Sequence, residues 1–506
     1  MTAKTFSIKN MSDEDVILLL NLQGIVNRDA PRLFYDTQGR SDWGPSDKRW
    51  MRIWHDRKGY DFESIESADD LIRAFSDHIN GLVIYDSALD ASRYVALTIA
   101  GLENLLAVSA AQMKGEIANL PVKQDLRGRF SNGVEAYEWA IRELRPRCSD
   151  TICYSAGQSH DDVNLGHDNG IILALDYAIA HRGFVFNLSP CPEPDTYDYE
   201  REHVKGHPED VSLMEAIFAT YKAPAKVYGW NEPEWKFTSR ISKHGHMLVC
   251  GKGANLSFHQ HVPAELTTFR QAAETNPNPR KIADKYYLAF MTNEGDTPRV
   301  FTTFFFGGWE GPERSCVPIN WGINPTLIND FPAIAEYYYS TATKNDYFYA
   351  GVSGPGYSFI DQLPDIGVFA RYAKPRFEAA NIDVVDAWDE FEFHPELYEA
   401  FAREAGVRLF TLLPRGESGV KLLPCGVPVI IPHEKVHYKG SDVESRIEAI
   451  NAIVTEHKPP FLIPLYGGVT AGCCTRYKQL ADRLDPNKFE FVTLAEMAWM
   501  AKELAK

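Results

Sequence analysis

Residues 285–506 repeat one unit about seven times: a short apolar run, a polar tip rich in carboxylates, then a stretch with helical spacing. The apolar runs read YYLAFMT, YFYAGV, DVV, VRLFTLL, PVII, PFLIPLY and FEFV. Uninterrupted apolar runs alternating with helical segments predict a parallel sheet covered on both faces. The expected fold class is therefore α/β, with a carboxyl-terminal (β/α) barrel of seven or eight strands preceded by smaller α/β domains. Roughly 220 residues lie at the lower limit for such a barrel. The amphipathic ending LAEMAWMAKELAK predicts the last covering helix.

The amino-terminal half alternates in shorter units. DEDVILLLNLQGIVN has helical spacing and leads through Pro31 to the strand-like Leu33-Phe34-Tyr35. GLVIYD, a helical ASRYVALTIAG and LLAV follow, then VEAYEWAIREL, GFVFNLS, KVYGW and HMLVC. These units predict small α/β pieces at 1–80, 81–130 and 131–265. The polar stretch 262–282, which holds three prolines, predicts a linker before a barrel-like catalytic domain at 283–506.

At 506 residues the chain exceeds what one core supports, and 44% apolar with 24% charged residues is ordinary globular composition. No run approaches the roughly 18 apolar residues that a membrane span requires. A net charge of −17 argues against nucleic acid and anionic membranes, both of which need a basic surface. The start MTAKTFSIKN lacks a basic segment followed by an apolar core, so a cytoplasmic location is expected, or a secreted one if a leader has been removed. Eight scattered cysteines form no CxxC pair, and most are expected to be buried thiols. No Walker or GxGxxG loop follows a first strand, and Gly416-Glu417-Ser418-Gly419 lacks the GxSxG spacing. No cofactor is expected.

In parallel α/β sheets chemistry gathers beyond the carboxyl ends of the strands. Glu294 and Asp296 stand two apart there, so their side chains leave on one side and crowding raises one pKa. Glycoside hydrolysis uses such a pair, with a proton donor beside an ionised partner. The second carboxylate could equally come from Asp361, Asp386 or Glu417 on other strands, and an acidic turn capping a helix explains the same letters. Asp386 and Asp389 flank Trp388, which suits a sugar face as well as it suits a helix start. Gly356 and Tyr357 follow a strand and fit either ligand contact or a tight packed turn. Trp309 beside Glu310 and Trp230 near Glu234 are platform or core.

His433-Glu434-Lys435-Val436-His437 spells HExxH, a zinc motif when carried on a long helix, and Glu456 follows at a spacing that could supply a third ligand. The abutting PVIIP and the nearby Gly440 argue for a polar loop at a strand end instead. His259-Gln260-His261 is read as strand-edge alternation or exposure rather than a metal site.

Two segments resemble the GxGYxYP family of putative glycoside hydrolases: Leu22-Gln23-Gly24-Ile25-Val26-Asn27-Arg28, followed by Pro31-Arg32-Leu33, and Gly354-Pro355-Gly356-Tyr357-Ser358-Phe359-Ile360. Thr98–Glu103, Tyr228-Gly229-Trp230 with Glu234, and Asn255-Leu256-Ser257 extend the similarity over nearly the whole chain. The Tyr-x-Tyr-Pro ending is Tyr357-Ser358-Phe359-Ile360 here, without the second tyrosine or the proline. The resemblance implies small amino-terminal pieces, a catalytic carboxyl-terminal domain and a carbohydrate partner.

Together these readings predict a hydrolase with Glu294 or Asp296 as acid and Asp386 as base or nucleophile. Trp309, Gly356, Tyr357, Asp361, Trp388 and Glu417 would hold sugar, and Asn27, Arg28, Trp230 and Asn255 would wall the cleft. The rivals are a metal-dependent hydrolase or deacetylase using His433 and His437, and a carbohydrate-binding protein without turnover.

Overall fold

In the first 263 residues the apolar runs pair into several small sheets. Strands β1 (Thr2–Ser7), β2 (Leu33–Asp36) and β3 (Asp61–Ser64) are parallel in the order β2-β1-β3. Strands β4 (Gly81–Ile84), β5 (Leu105–Val108) and β6 (Val122–Asp125) are parallel in the order β5-β4-β6. Then come β7 (Ile152–Ser155), β8 (Phe184–Phe186) and an antiparallel pair, β9 (Asp195–Tyr197) with β10 (Glu202–Val204). Finally β11 (Lys226–Gly229) and β12 (Met247–Cys250) complete a parallel sheet of order β12-β11-β7-β8. The computed structural model describes residues 1–37, 46–157, 174–197, 202–204, 206–250, 253–292, 295, 297–436, 442–467 and 473–506. It divides into two units, Met1–Pro263 and Ala264–Lys506.

The helix Asp13–Val26 is apolar around most of its circumference and accordingly lies buried along its last eleven residues save Ile17. Gly24 is required where this helix meets Leu175–Ala180, because a Cβ there would sit 2.4 Å from the Asp176 carbonyl oxygen. Two asparagines then replace backbone partners. Asn27 accepts from the amides of Arg32 (2.9 Å) and Leu33 (2.8 Å) and donates to the Leu33 carbonyl (2.7 Å). Asn255, in the left-handed region at φ 58°, accepts from the Tyr35 amide (2.7 Å) and donates to its carbonyl (2.9 Å). The Asn27 and Asn255 side chains thereby act as fixed bridges for β2.

In Ala264–Lys506 the seven repeated runs become β13 (Tyr286–Thr292), β15 (Asp346–Ala350), β16 (Val384–Ala387), β17 (Leu409–Leu412), β19 (Pro428–Ile431), β20 (Phe461–Gly467) and β21 (Phe489–Phe491), and two strands outside the predicted repeat, β14 (Ile319–Ile323) and β18 (Gly419–Leu422), join them. All join one sheet of order β18-β19-β17-β16-β15-β14-β13-β20, with β21 also on β13. Every pairing is parallel except β18 with β19. The curl of this sheet is measured by one bond. β16 and β20 are four steps apart, about 19 Å in a flat sheet, yet the Tyr466 hydroxyl on β20 donates directly to the Asp386 carboxylate on β16.

Where the spacing predicts a closed barrel of seven or eight strands, the described pairings give an open, curled half-barrel. The antiparallel β18 occupies the edge of β19 on which a closing parallel neighbour would bond. A second departure concerns the last helix, Leu494–Leu504. Its Leu494, Met497, Ala498, Met500 and Ala501 pack with Tyr287, Met291, Tyr349, Val384, Leu409 and Tyr466 in one buried cluster. Those strand residues share the face of Asp386 by two-residue alternation, so the helix fills the concave side and does not join the outer layer. Its entry follows from the edge of β13 opposite β20, which β21 takes along Tyr286–Leu288 and β14 only at Phe290–Met291. In the splay between them the buried Asn320 donates to the Phe290 carbonyl (2.9 Å) and accepts from the Leu494 amide (2.7 Å).

The tops of the first three strands close on each other through glycine. A Cβ on Gly322 would lie 2.7 Å from the Thr292 carbonyl oxygen and 3.0 Å from the Tyr349 hydroxyl, which passes over this residue to bond Thr292. Gly322→Ala is expected to cost about 1–3 kcal/mol by forced displacement, read as a lower urea midpoint at unchanged m-value. An unchanged midpoint would show that the strands separate freely here.

Candidate functional site around the loops after β15 and β16

The turn leaving β15 is strained. Val352 (φ 45°), Ser353 (φ 66°) and Gly354 (φ 107°) are consecutive residues with positive φ. A β-branched residue there is rare, and conformations of this kind cost on the order of 1–3 kcal/mol each. Gly354 needs its missing side chain as well, since a Cβ would stand 3.1 Å from Phe377 and 3.2 Å from Phe401. The turn is held by its neighbour: the Ser353 amide donates to the Asp386 carbonyl (2.6 Å), and the Ser353 hydroxyl accepts from the Trp388 amide (3.0 Å). The Ile360 amide donates to the Trp388 carbonyl (2.9 Å), so the loops after β15 and β16 form one rigid wall.

Asp386 sits fully buried at the concave face. One carboxylate oxygen accepts from Thr411 (2.8 Å) and Tyr466, and the other from the Trp388 indole nitrogen (3.1 Å). Burial pushes its carboxyl up to about 6, against the opposing pull of these three donors. Trp388 is half-buried, and Tyr357 meets its ring edge-on at 5.5 Å. Thr411 and Tyr466 were missing from the sequence expectation. Their partner lies on other strands, so no local pattern marks them.

Asp361 does not present a free carboxylate. It accepts from the amides of Glu390 (2.8 Å), Phe391 (2.8 Å) and Glu392 (3.3 Å), and so pins the end of the wall. That loop holds Phe391 outward with 66% of its surface exposed, a residue the sequence reading passed over. Asp389 is buried, accepts from Tyr398 (2.8 Å) and stands 3.5 Å from the Arg415 guanidinium. Burial raises its carboxyl to about 6, although Tyr398 and Arg415 lower it. Its second oxygen and the Arg415 Nε are buried without a hydrogen-bond partner among the described residues. Gly356 is buried within the turn, and Glu417 is exposed on the loop before β18.

Other candidates have structural occupations. Trp309 is 3% exposed, donates to Thr341 (2.9 Å), and is enclosed by Phe305, Trp321, Tyr338 and Phe348, so its indole belongs to the core outside the sheet and offers no ligand a face. In the amino-terminal unit Asn27 and Asn255 hold β2, as described above. Arg28 donates to the Gly101, Ile179 (3.0 Å) and Ala180 (3.2 Å) carbonyls near two helix ends, where a cation is favoured. Desolvation, then Arg182, lowers its pKa to about 10. Half-buried Trp230 donates to Glu232 (2.6 Å) within the same unit.

Glu294, Asp296 and His437 lie outside the described residues. Gly295, which separates the two acids in sequence, packs backbone to backbone on Gly351 at the start of the strained turn: a Cβ on it would meet the Gly351 Cα at 2.7 Å. Among its described residues the HExxH segment carries a short 3-10 turn, Glu434–Val436.

Family models cover the chain in sequence order: the GxGYxYP_N 1st domain at 3–77, the GxGYxYP_N second domain at 79–148, the GxGYxYP third domain at 166–261, and the GxGYxYP putative glycoside hydrolase C-terminal domain at 284–502. The chain belongs to the GxGYxYP family. Among solved structures, one titled a putative hydrolase from Bacteroides thetaiotaomicron VPI-5482 has the same fold, with a TM-score of 0.80 at 16% identity over 99% of this chain and 94% of that one. A comparison with curated proteins finds no match. The two GxGYxYP segments have different occupations here. Gly24 and Asn27 of the first serve packing, and Gly354–Tyr357 of the second makes the strained turn of the site. Among the described residues no helix is long and apolar enough to cross a membrane.

Proposed function

We propose that this GxGYxYP protein is a glycoside hydrolase whose sugar-facing wall is the pair of loops after β15 and β16. The observation that carries the reading is the strained Val352–Gly354 turn, locked to Asp386 and Trp388 at the carboxyl ends of parallel strands. Backbone strain kept at such a place is a mark of a site that needs fixed geometry. Half-buried Trp388 offers an indole that the Tyr357 ring, buried contrary to the expectation that it holds sugar, backs edge-on, and exposed Phe391 extends the apolar surface. Aromatic faces with a few placed polar groups suit pyranose rings.

Acid and base come from Glu294 and Asp296 in this proposal. Gly295, which lies between them in the sequence, packs against Gly351 at the start of the strained turn, and this supports the reading. One acid would protonate the leaving oxygen while an ionised partner activates water or attacks carbon. Asp386, fully buried and bonded on both oxygens, is better suited to orient Trp388 than to attack substrate. Glu294→Gln and Asp296→Asn, assayed on a panel of aryl glycosides, should each lower kcat by about 10²–10⁴ with the fold intact by circular dichroism. Turnover equal to the parent in both variants would sink the assignment.

A further inference from the structure

A second cluster, separate from the wall, gathers metal-binding side chains at the open side of the half-barrel. His433 follows β19, Glu456 ends the helix Val443–Glu456, and His457 leads into β20. One donor atom from each of the three lies within 4.8 Å of the others. The His433 Nε2 stands 2.9 Å from a Glu456 oxygen, and the His457 ring stacks on Phe461 at 4.1 Å, which fixes its plane. His457 Nε2 also lies 3.3 Å from the Ser418 hydroxyl, just ahead of β18. The cluster therefore touches the flanks of β18 and β20, the two ends of the strand order among the described residues.

We propose that His433, Glu456 and His457 bind a borderline divalent transition cation, with Zn²⁺ the best fit, and that the ion staples the open edge of the half-barrel. Two imidazoles and a carboxylate are a donor set that zinc accepts, and bonds of about 2.0–2.2 Å set tetrahedral donors about 3.4 Å apart, so the wider pairs close while the His433–Glu456 pair opens slightly. Lys435 is the competitor. Its ammonium bonds one Glu456 oxygen and leaves the other, now held by His433, to the ion. The Lys435 amide also lies 3.2 Å from the His433 Nδ1. Metal at Nε2 requires the proton on Nδ1, so that weak contact gives way on loading. The hydrolysis proposed above takes no metal, so this site stands or falls independently of it.

The test uses the full chain after treatment with a chelator, titrated with Co²⁺ as the visible probe and with Zn²⁺ by calorimetry. One equivalent should bind with the ligand-field absorption of a four-coordinate site. His433→Gln and His457→Gln should each weaken binding at least tenfold while folding normally, and His55→Gln, an exposed histidine of the amino-terminal unit, should not. Zn²⁺ should raise the Tm of the parent but not of the two site variants. Absence of saturable one-equivalent binding, or binding that survives both site substitutions, overturns the site. Binding without a rise in Tm overturns the staple.

Discussion

Asp386→Ala is expected to destabilise the carboxyl-terminal unit by about 3 kcal/mol at pH 5, whereas Asp386→Asn should stay within about 1 kcal/mol of the parent. Alanine leaves the Thr411 and Tyr466 hydroxyls and the Trp388 indole nitrogen facing a hole. An asparagine can turn its oxygen to Trp388, which only donates, and its amide group to the two hydroxyls, which can accept. The comparison also carries a pH signature. The carboxyl is raised from an ordinary value near 3.8 to about 6 in the fold. The folded state therefore holds the extra proton between those values, and the stability from it is full below the unfolded pKa and lost as pH rises through about 6. Between pH 5 and 7.5 the parent should lose about 1.4 kcal/mol relative to Asp386→Asn. Urea titrations at both pH values check this, and parallel pH curves would refute it. Activity separates the two roles: kcat of Asp386→Asn should stay within about tenfold if the residue orients Trp388, and fall about 10²–10⁴ if it performs acid–base chemistry itself.

Arg314→Met should cost about 3–5 kcal/mol, because it strips a fully buried carboxylate of its counter-ion. Arg314 donates to Asp346 at 2.7 Å, to the Thr341 carbonyl at 3.1 Å, and lies over the Trp309 ring at 4.4 Å. Asp346 accepts in addition from the Trp321 indole (3.0 Å) and from the amide and hydroxyl of Thr343 (2.8 Å each). Once the guanidinium is removed, the charge keeps its dipoles but has no cation beside it. Arg314→Lys should recover part of the loss, since it restores charge but not the planar fork or the stacking. A loss below 1 kcal/mol for methionine would mean that water reaches Asp346 and screens it.

Local pattern made much of this molecule legible. Each apolar run of the carboxyl-terminal half became a strand, because continuous apolarity over four to seven residues has no other stable home in a sheet covered on both faces. Asp386, Trp388 and Tyr357 lie at or beyond the ends of apolar runs, and the structure brings the three together. The same kind of reasoning misplaced Trp309, since a tryptophan beside a glutamate looks alike in a core and on a sugar platform. It also treated Asn27, Arg28 and Asn255 as ligand contacts. Polar letters that substitute for backbone hydrogen bonds cannot be told from polar letters that face a substrate until their partners, more than 200 residues away for Asn255, are known.

Seven of the nine strands of the carboxyl-terminal unit, its last helix and the glycine-bearing turn after β15 follow from the sequence, because apolar runs, helical period and φ preference act over a few residues, whereas β14 and β18 carry no such run. Tertiary structure alone decided that the sheet stays open, that the final helix lies in its concave face, and that Asp386 is shut beneath Tyr466. Each of these depends on contacts across the sheet. An amphipathic helix needs an apolar surface, and its own residues do not say which side of the sheet will supply it.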